Sequence, residues 1–269
     1  MIALVERGMN RIGTLETVCR YPVKSMAGEE LEQAFVGFAG MMGDRAYAFV
    51  RVPGPKGFPW HTGREQEDLI LYRPRYRDAA AATLPLDVEK SFSMAPGVAP
   101  VFPDGDGAFA VDVATPGRRT LAVDSPELRA ELEERGGQKV ELRFSERSLV
   151  DCRPVSLFGN ATATALSEEL GVRLDRRRFR ANFYADWNDG RPFREDELVG
   201  RTLQVGGRLR VAVLERDPRC KMITLDPDTA AMEPAVLRHV TKAHGGTAGV
   251  YAAVLVEGVV RRGDPILLV

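Results

Sequence analysis

Prolines and glycines break this chain at short intervals, and that punctuation limits it to short elements. There are 26 glycines and 17 prolines in 269 residues, and the apolar runs between them are too short for long helices. Residues 12–20 (I-G-T-L-E-T-V-C-R) read as a strand, and Tyr21 to Gly28 as the loop that follows it. Residues 31–38, 46–52, 109–113, 120–123, 181–185, 202–216, 248–257 and 265–269 read as further strands, with weaker extended or mixed segments at 69–76 and 79–88. The stretch 53–64, with four prolines and glycines in its first half alone, reads as an exposed loop, and 94–107 is the longest breaker-rich stretch.

Three helices are well punctuated. Ser125-Pro126-Glu127 supplies an N-cap, a first-turn proline and a first-turn acid, and Gly136-Gly137 closes that helix. Asn160 or Thr162 can cap a second, which stops at Gly171, and Glu233-Pro234 opens a third that ends at Gly245-Gly246. Many short strands with few helices predict a mixed α+β, mostly β fold of two β-barrel-like modules with a few short helices. The first helix marks a domain boundary, giving modules at 10–125 and 126–269.

Charge and cysteine use exclude several functions. Lys+Arg 37 against Asp+Glu 38 leaves a net charge of -1, so no global field recruits nucleic acid or anionic membrane. The cysteines Cys19, Cys152 and Cys220 form no CxxC and no even-numbered framework, which fits a reducing compartment. The N-terminal apolar run is too short for a signal peptide and no stretch is apolar enough to span a membrane, so a cytoplasmic location is expected.

Chemistry concentrates in Arg210 to Thr229 (R-V-A-V-L-E-R-D-P-R-C-K-M-I-T-L-D-P-D-T). A strand runs into a break at Asp217-Pro218, followed at once by Cys220 between Arg219 and Lys221. Met222 to Leu225 reads as a return to a β-like run, closed by the turn former Asp226-Pro227-Asp228-Thr229. Neighbouring cations favour a thiolate, the form needed by a nucleophile or a soft-metal ligand. A cysteine packed as a small hydrophobe is the alternative.

Other candidates are individually weaker. Lys24-Ser25, in a loop after a strand, combines a mobile cation with a hydroxyl donor suited to a phosphate oxygen, and Asp44-Arg45 follows Gly43 in a turn. Each is equally a solvated or locally paired loop residue. In Arg176-Arg177-Arg178-Phe179-Arg180-Ala181-Asn182, Arg180 and Asn182 share a face if 179–185 is extended, and that face could grip an anionic or polar heterocycle. The run is otherwise a solvated face or a nucleic-acid patch. Gly159-Asn160-Ala161-Thr162 opens a helix, whose N–H groups can receive an anion. His61, His239 and His244 form no HExxH and no zinc spacing, and no GxSxG, Walker A or dinucleotide fingerprint is present.

The order of these pieces closely resembles the MOSC-domain family over nearly the whole chain: Tyr21-Pro22-Val23-Lys24-Ser25, Gly43-Asp44-Arg45, Phe179-Arg180-Ala181-Asn182, Arg219-Cys220, then Thr224 to Asp228. The tail, with Gly249-Val250-Tyr251 and Gly258 to Asp264, is similar to that domain's closing strands. The resemblance implies an N-terminal MOSC β-barrel module ahead of the MOSC domain, as in the mitochondrial amidoxime-reducing component and its bacterial counterparts. It further implies a molybdenum cofactor, with Cys220 as the thiolate ligand of the metal. Lys24, Ser25 and Arg45 would hold the cofactor phosphate, Arg180 and Asn182 the pterin side, and Asn160 to Thr162 would add donors from the helix N-terminus. Asp217, Arg219 and Lys221 would contact substrate or supply protons.

The implied activity is reduction of small N-hydroxylated compounds. The chain holds no four-cysteine iron–sulfur cluster, so electrons would come from a separate ferredoxin- or cytochrome b5-like protein with its reductase. The alternative is a sulfur carrier with a persulfide on Cys220, which needs the thiolate but not the cationic grip. Two departures stand out. Relatives often read S-E-A-S at 159–162, and often place Cys or Ser just before the cysteine, where this chain has Asp217-Pro218.

Overall fold

A computed structural model describes residues 10–93 and 107–269; most of the breaker-rich stretch 94–107 lies outside them. Sixteen strands and four α-helices follow in order. The strands are β1 (Asn10–Arg20), β2 (Glu29–Leu31), β3 (Gln33–Gly37), β4 (Gly40–Met41), β5 (Tyr47–Arg51), β6 (Arg73–Tyr76), β7 (Val111–Ala114) and β8 (Thr120–Ala122). Then come β9 (Val140–Phe144), β10 (Val155–Gly159), β11 (Phe183–Trp187), β12 (Thr202–Val205), β13 (Leu209–Pro218), β14 (Thr247–Val256), β15 (Gly258–Arg261) and β16 (Pro265–Leu268). The helices are α1 (Val88–Ser93), α2 (Pro126–Gly136), α3 (Asn160–Leu170) and α4 (Pro234–Ala243). The fold is mixed α+β and mostly β, as the punctuation predicts.

A closed barrel forms the centre, in the order β11-β10-β14-β13-β12-β16-β1, with β1 pairing back onto β11 and β2 lying outside on β1. Neighbours are antiparallel except β10 and β11, which run parallel and are joined through α3. The other strands make three small sheets, β15-β3-β4, β5-β9 and β6-β7-β8. Segments on either side of residue 125 share sheets: β1 helps close the barrel, β9 pairs with β5 and β15 with β3.

Alternation places apolar side chains inside the barrel, where Leu15, Val18, Leu157, Phe183, Leu203, Val211, Val213, Val250 and Ile266 are buried together. A second core lies under the small sheets and α2, around Phe35, Phe49, Tyr72, Phe109 and Leu128. A third lies under α3 and α4, around Tyr21, Phe158, Leu166, Phe179, Tyr184 and Val240.

The helix signals hold except at the start of α3, where neither Asn160 nor Thr162 is the cap: the N-cap is Gly159, with no side-chain capping bond. Ser125 accepts a bond from the Leu128 amide and Gly137 closes α2 at φ 67°, while Pro234 opens α4 and Gly171 closes α3. Three local expectations need correction. Strand β13 continues through Pro218, because a register shift between Arg216 and Pro218 lets a residue without an N–H pair with Thr247. Met222 to Leu225 is not extended: a 3-10 turn spans Lys221–Thr224, in which Thr224 Oγ1 donates to the Lys221 carbonyl at 2.7 Å. Residues 79–88 form turns leading into α1, and the second half of the 53–64 loop is docked, with His61 buried and its amide bonded to the Phe49 carbonyl.

Candidate active site

Loops from both ends of the sequence meet in a cavity of about 240 Å³ lined by Lys24, Ser25, Arg45, Arg180, Asn182, Asp217, Arg219 and Cys220. Seven cations line it (Lys24, Arg45, Arg64, Arg153, Arg178, Arg180 and Arg219) against two carboxylates, Asp151 and Asp217. Five of the seven are paired with carboxylates (Lys24–Asp151, Arg45–Asp44, Arg153–Glu215, Arg178–Asp226 and Arg219–Asp217), and among the described residues Arg64 and Arg180 are not.

Tyr21 organises the front of the cavity. The loop after β1 turns through Val23, which bridges to Tyr47, and the Arg45 amide donates to the Tyr21 carbonyl at 2.7 Å. The guanidinium carbons of Arg45 and Arg180 each lie 4.4 Å from the Tyr21 ring centroid. Arg45 Nη1 pairs with Asp44 Oδ2 at 2.5 Å, and Arg45 Nη2 donates to the Arg180 carbonyl at 3.1 Å. Burial opposes the Arg45 charge, but Asp44 more than offsets it and leaves the guanidinium pKa raised. Arg180 has no such partner: among the described residues no carboxylate makes a salt bridge to it, and burial pushes its pKa down to about 10. It remains protonated at neutral pH, a cation with unmet charge. Lys24 is buried and its pKa is lowered by burial; it donates to the Leu149 carbonyl at 2.5 Å and pairs with Asp151 at 2.6 Å.

The backbone here is strained. Seven non-glycine residues among those described have positive φ, and Ser25 (67°), Arg45 (46°) and Arg180 (53°) are three of them. Left-handed conformations cost about 1–2 kcal/mol for such residues, so three facing one cavity mark a place shaped for binding rather than for stability.

Cys220 follows the end of β13, half-buried, at the start of the 3-10 turn. Arg178, buried, clamps that turn by donating to the Thr224 carbonyl at 2.8 Å and to Asp226 at 3.0 Å. Arg219 folds back under the loop, donating from Nε to the Ala248 carbonyl at 2.6 Å and from Nη1 to the Phe179 carbonyl at 2.8 Å. Gly249 makes this possible: a Cβ there would lie 3.0 Å from Arg219 Nη2 and 2.8 Å from the Phe158 ring. Arg219 Nη1 also meets Asp217 Oδ2 at 2.9 Å, while Nη2 is buried with no hydrogen-bond partner. Burial raises the Asp217 pKa against the pull of Arg219, and Tyr251 lies close enough to interact with it.

Other expected residues stand apart from this cavity or are committed to structure. Asn182 lines the cavity, but its Oδ1 accepts from Ser156 N and Oγ at 3.2 and 3.1 Å and its Nδ2 donates to the Cys19 carbonyl at 3.3 Å, so it braces β10 against β1. Lys221 points outward from the turn to Glu67 at 2.5 Å and the Arg64 carbonyl at 2.9 Å. Asn160 faces Asp186 and Arg176, and Thr162 is fully buried. The N-terminus of α3 receives no anion from the cavity because Glu195 already caps it, accepting from the Gly159 amide at 3.0 Å and from Thr162 Oγ1 at 2.8 Å. The arginine run is not extended, and of its first three residues only Arg177 is exposed. Residues Arg176–Phe179 form a 3-10 turn in which Arg176 pairs with Glu16, Arg177 with Asp175 and Asp228, and Arg178 with Asp226.

The sequence alone does not point to Arg64. Its guanidinium lies 4.8 Å from the Phe58 ring centroid and near Cys220, whose interaction with it raises the arginine pKa against burial. The docked half of the 53–64 loop carries it there, and its breaker-rich composition gives no hint of that contact. The three thiols differ sharply: Cys19 is buried in the third core with its pKa pushed up to about 12 by burial, Cys152 is exposed and Cys220 half-buried. Brief alkylation at mildly alkaline pH followed by peptide mass spectrometry is therefore expected to label Cys152 and Cys220 and to spare Cys19. Labelling of Cys19 at a similar rate would contradict its placement in the core.

Among the described residues, no helix is long and apolar enough to cross a membrane. No curated protein matches the chain. Among solved structures it is similar to YiiM from Geobacillus stearothermophilus (19% identity, TM-score 0.34, 44% of this chain and 54% of that one). It is also similar to the YUAD protein from Bacillus subtilis (13% identity, TM-score 0.47, 97% of each chain) and to YiiM from Escherichia coli (14% identity, TM-score 0.32, 44% and 54%). The chain thus spans about half the length of the YiiM structures, at 54% of each. The MOSC domain family matches residues 145–267 and the MOSC N-terminal beta barrel domain residues 12–100, together spanning Lys24, Arg45, Arg180 and Cys220. With both matches and the motifs that carry them in place around one cavity, this chain belongs to the MOSC-domain family.

Proposed function

We propose that the cavity around Cys220 binds a molybdenum cofactor and that the protein is an oxidoreductase acting on small N-hydroxylated compounds, with electrons from a separate electron-transfer protein. The observation that carries the reading is a half-buried thiol in a cavity lined by seven cations, of which Arg64 and Arg180 make no salt bridge among the described residues. A ligand with anionic oxygens and a soft metal would satisfy both, and a molybdopterin offers each. The choice of N-hydroxylated substrates rests on the resemblance to amidoxime-reducing proteins.

The residues divide the work. Lys24, Ser25, Arg45 and Arg180 hold the phosphate and pterin side, and Cys220 supplies the metal ligand. When bound, the cofactor supplies two-electron oxygen-transfer chemistry that no side chain here can perform. Asp217, with its pKa raised by burial and with Tyr251 beside it on the cavity wall, is the group best placed to hold a proton near the reacting group. A second reading makes Cys220 a persulfide carrier, and Cys152 in the same cavity would be its neighbouring thiol.

The test is molybdenum and pterin content of the protein expressed in a cofactor-producing host, followed by reduction of an amidoxime with a chemical electron donor. Near-stoichiometric metal supports the reading. Absence of molybdenum despite adequate molybdate overturns it, and persulfide on Cys220 would then favour the carrier. Arg180→Met is expected to weaken cofactor retention by about tenfold to a hundredfold, the value of one or two hydrogen bonds to a charged group. Because Arg180 is half-buried and makes no salt bridge among the described residues, the same change should leave the melting midpoint level or higher.

A further inference from the structure

The geometry points to a second metal site, remote from the cavity, in which Glu169, His239 and His244 bind one first-row divalent cation of the zinc type. Glu169 stands in the last turn of α3, His239 on α4, and His244 immediately past the end of α4. Both imidazoles converge on a single carboxylate oxygen: His239 Nε2 lies 2.6 Å and His244 Nε2 2.7 Å from Glu169 Oε2. The three candidate ligand atoms all lie within 4.8 Å of one another. In the ion-free protein each ring donates its Nε2–H to that oxygen. A cation would take the place of those protons.

The ligand chemistry selects the metal. Two neutral imidazoles and one carboxylate suit Zn²⁺ and its first-row neighbours, whereas Mg²⁺ and Ca²⁺ prefer all-oxygen cages. Zinc bonds of about 2.0–2.1 Å in a tetrahedron put ligand atoms about 3.3 Å apart, so the present contacts would open by less than about 1 Å. The site is half-exposed, with side chains 18–34% accessible, which provides an entry path and leaves the fourth position to water.

One further feature holds a ring in place. His244 stacks on Phe193, with centroids 4.2 Å apart and an interplanar angle of 20°, so its orientation is set before any ion arrives. Asp196, three residues after Phe193, lies within electrostatic reach of His244 and adds negative charge beside the site. The cation would pin α3 to α4, and α4 packs against the 3-10 turn Lys221–Thr224 behind Cys220. This inference does not depend on what occupies the cavity.

The test uses protein without an affinity tag, stripped with chelator and titrated calorimetrically with Zn²⁺, with Mg²⁺ as the control. The expected result is one Zn²⁺ per chain at micromolar affinity or tighter, and a higher melting midpoint with Zn²⁺ but not with Mg²⁺. His239→Ala with His244→Ala should weaken that binding by more than about 100-fold. Glu169→Gln, which keeps the shape and removes the charge, should weaken it without unfolding the helices. Co²⁺ in place of Zn²⁺ should show d–d bands without a thiolate charge-transfer band. No binding by the wild type, the same titre in the double-histidine variant, or a thiolate band from Co²⁺ at Cys152 or Cys220 would each overturn the inference.

Discussion

On the proposed cofactor reading, Cys220→Ala is expected to lose molybdenum while the fold survives. The side chain of Cys220 caps nothing: the 3-10 turn after it is held by backbone bonds such as Ile223 N to the Cys220 carbonyl, and by Arg178 gripping Thr224 and Asp226. Alanine preserves all of these, so stability should change by about 1 kcal/mol or less. What disappears is the soft ligand. Removing groups that merely support a metal ligand already costs about 10–100-fold, so losing the ligand itself should exceed that in metal retention and in turnover. Metal-to-protein ratio by elemental analysis, read alongside the melting midpoint, separates the two effects. Full molybdenum content with undiminished reduction in Cys220→Ala would sink the assignment of the thiol.

The largest expected loss of stability comes from Glu195→Ala. Glu195 is fully buried and accepts three hydrogen bonds: from the Gly159 amide, from Thr162 Oγ1, and from Trp187 Nε1 at 3.0 Å. It thereby ties the end of β10, the first turn of α3 and the end of β11 into one knot. Gly159 is fitted to it closely, since a Cβ there would lie 2.5 Å from Glu195 Oε2. Removing the carboxylate leaves at least two buried donors unpaired beside a new cavity, a cost of about 3–5 kcal/mol. For a chain of this size that is a fall of roughly 6–20 °C in melting midpoint. Glu195→Gln keeps one acceptor oxygen and should fall between wild type and alanine. A melting midpoint for Glu195→Ala close to that of the wild type would show that the knot carries little.

How much of this was visible beforehand differs by range of interaction. The caps of α2 and α4 and the turn at Asp226–Thr229 are local events, in which a side chain satisfies an amide a few residues away, and each was readable from residue type and spacing. Met222 to Leu225 misled because an apolar run bears no sign of whether a threonine hydroxyl will close it into a 3-10 turn. The arginine run misled for a different reason: Arg176, Arg177 and Arg178 look alike in sequence, and only their partners at Glu16, Asp228 and Asp226 distinguish them from Arg180.

Most of the candidate site was named from the order of its motifs, yet the structure redistributes the roles. Lys24, Ser25, Arg45, Arg180 and Cys220 face one cavity, whereas Lys221 turns to Glu67, Asn182 braces two strands, and the start of α3 is taken by Glu195. Arg64 at Cys220 and the Glu169–His239–His244 cluster join residues 70 or more positions apart, or sit on loops whose composition reads as solvent-exposed.

By itself the sequence determined the starts of α2 and α4, the mostly β character and the membership of Cys220 in a basic turn, because these follow from local sterics and nearest-neighbour hydrogen bonding. The tertiary structure alone decided which charges cancel. A guanidinium with a carboxylate at 2.5–3.0 Å is structural, as Arg45 and Arg178 partly are, and one half-buried without such a partner, as Arg180 is, remains free for a ligand. That distinction depends on closing the barrel with β1 against β11, which brings residues from both ends of the chain to the same cavity.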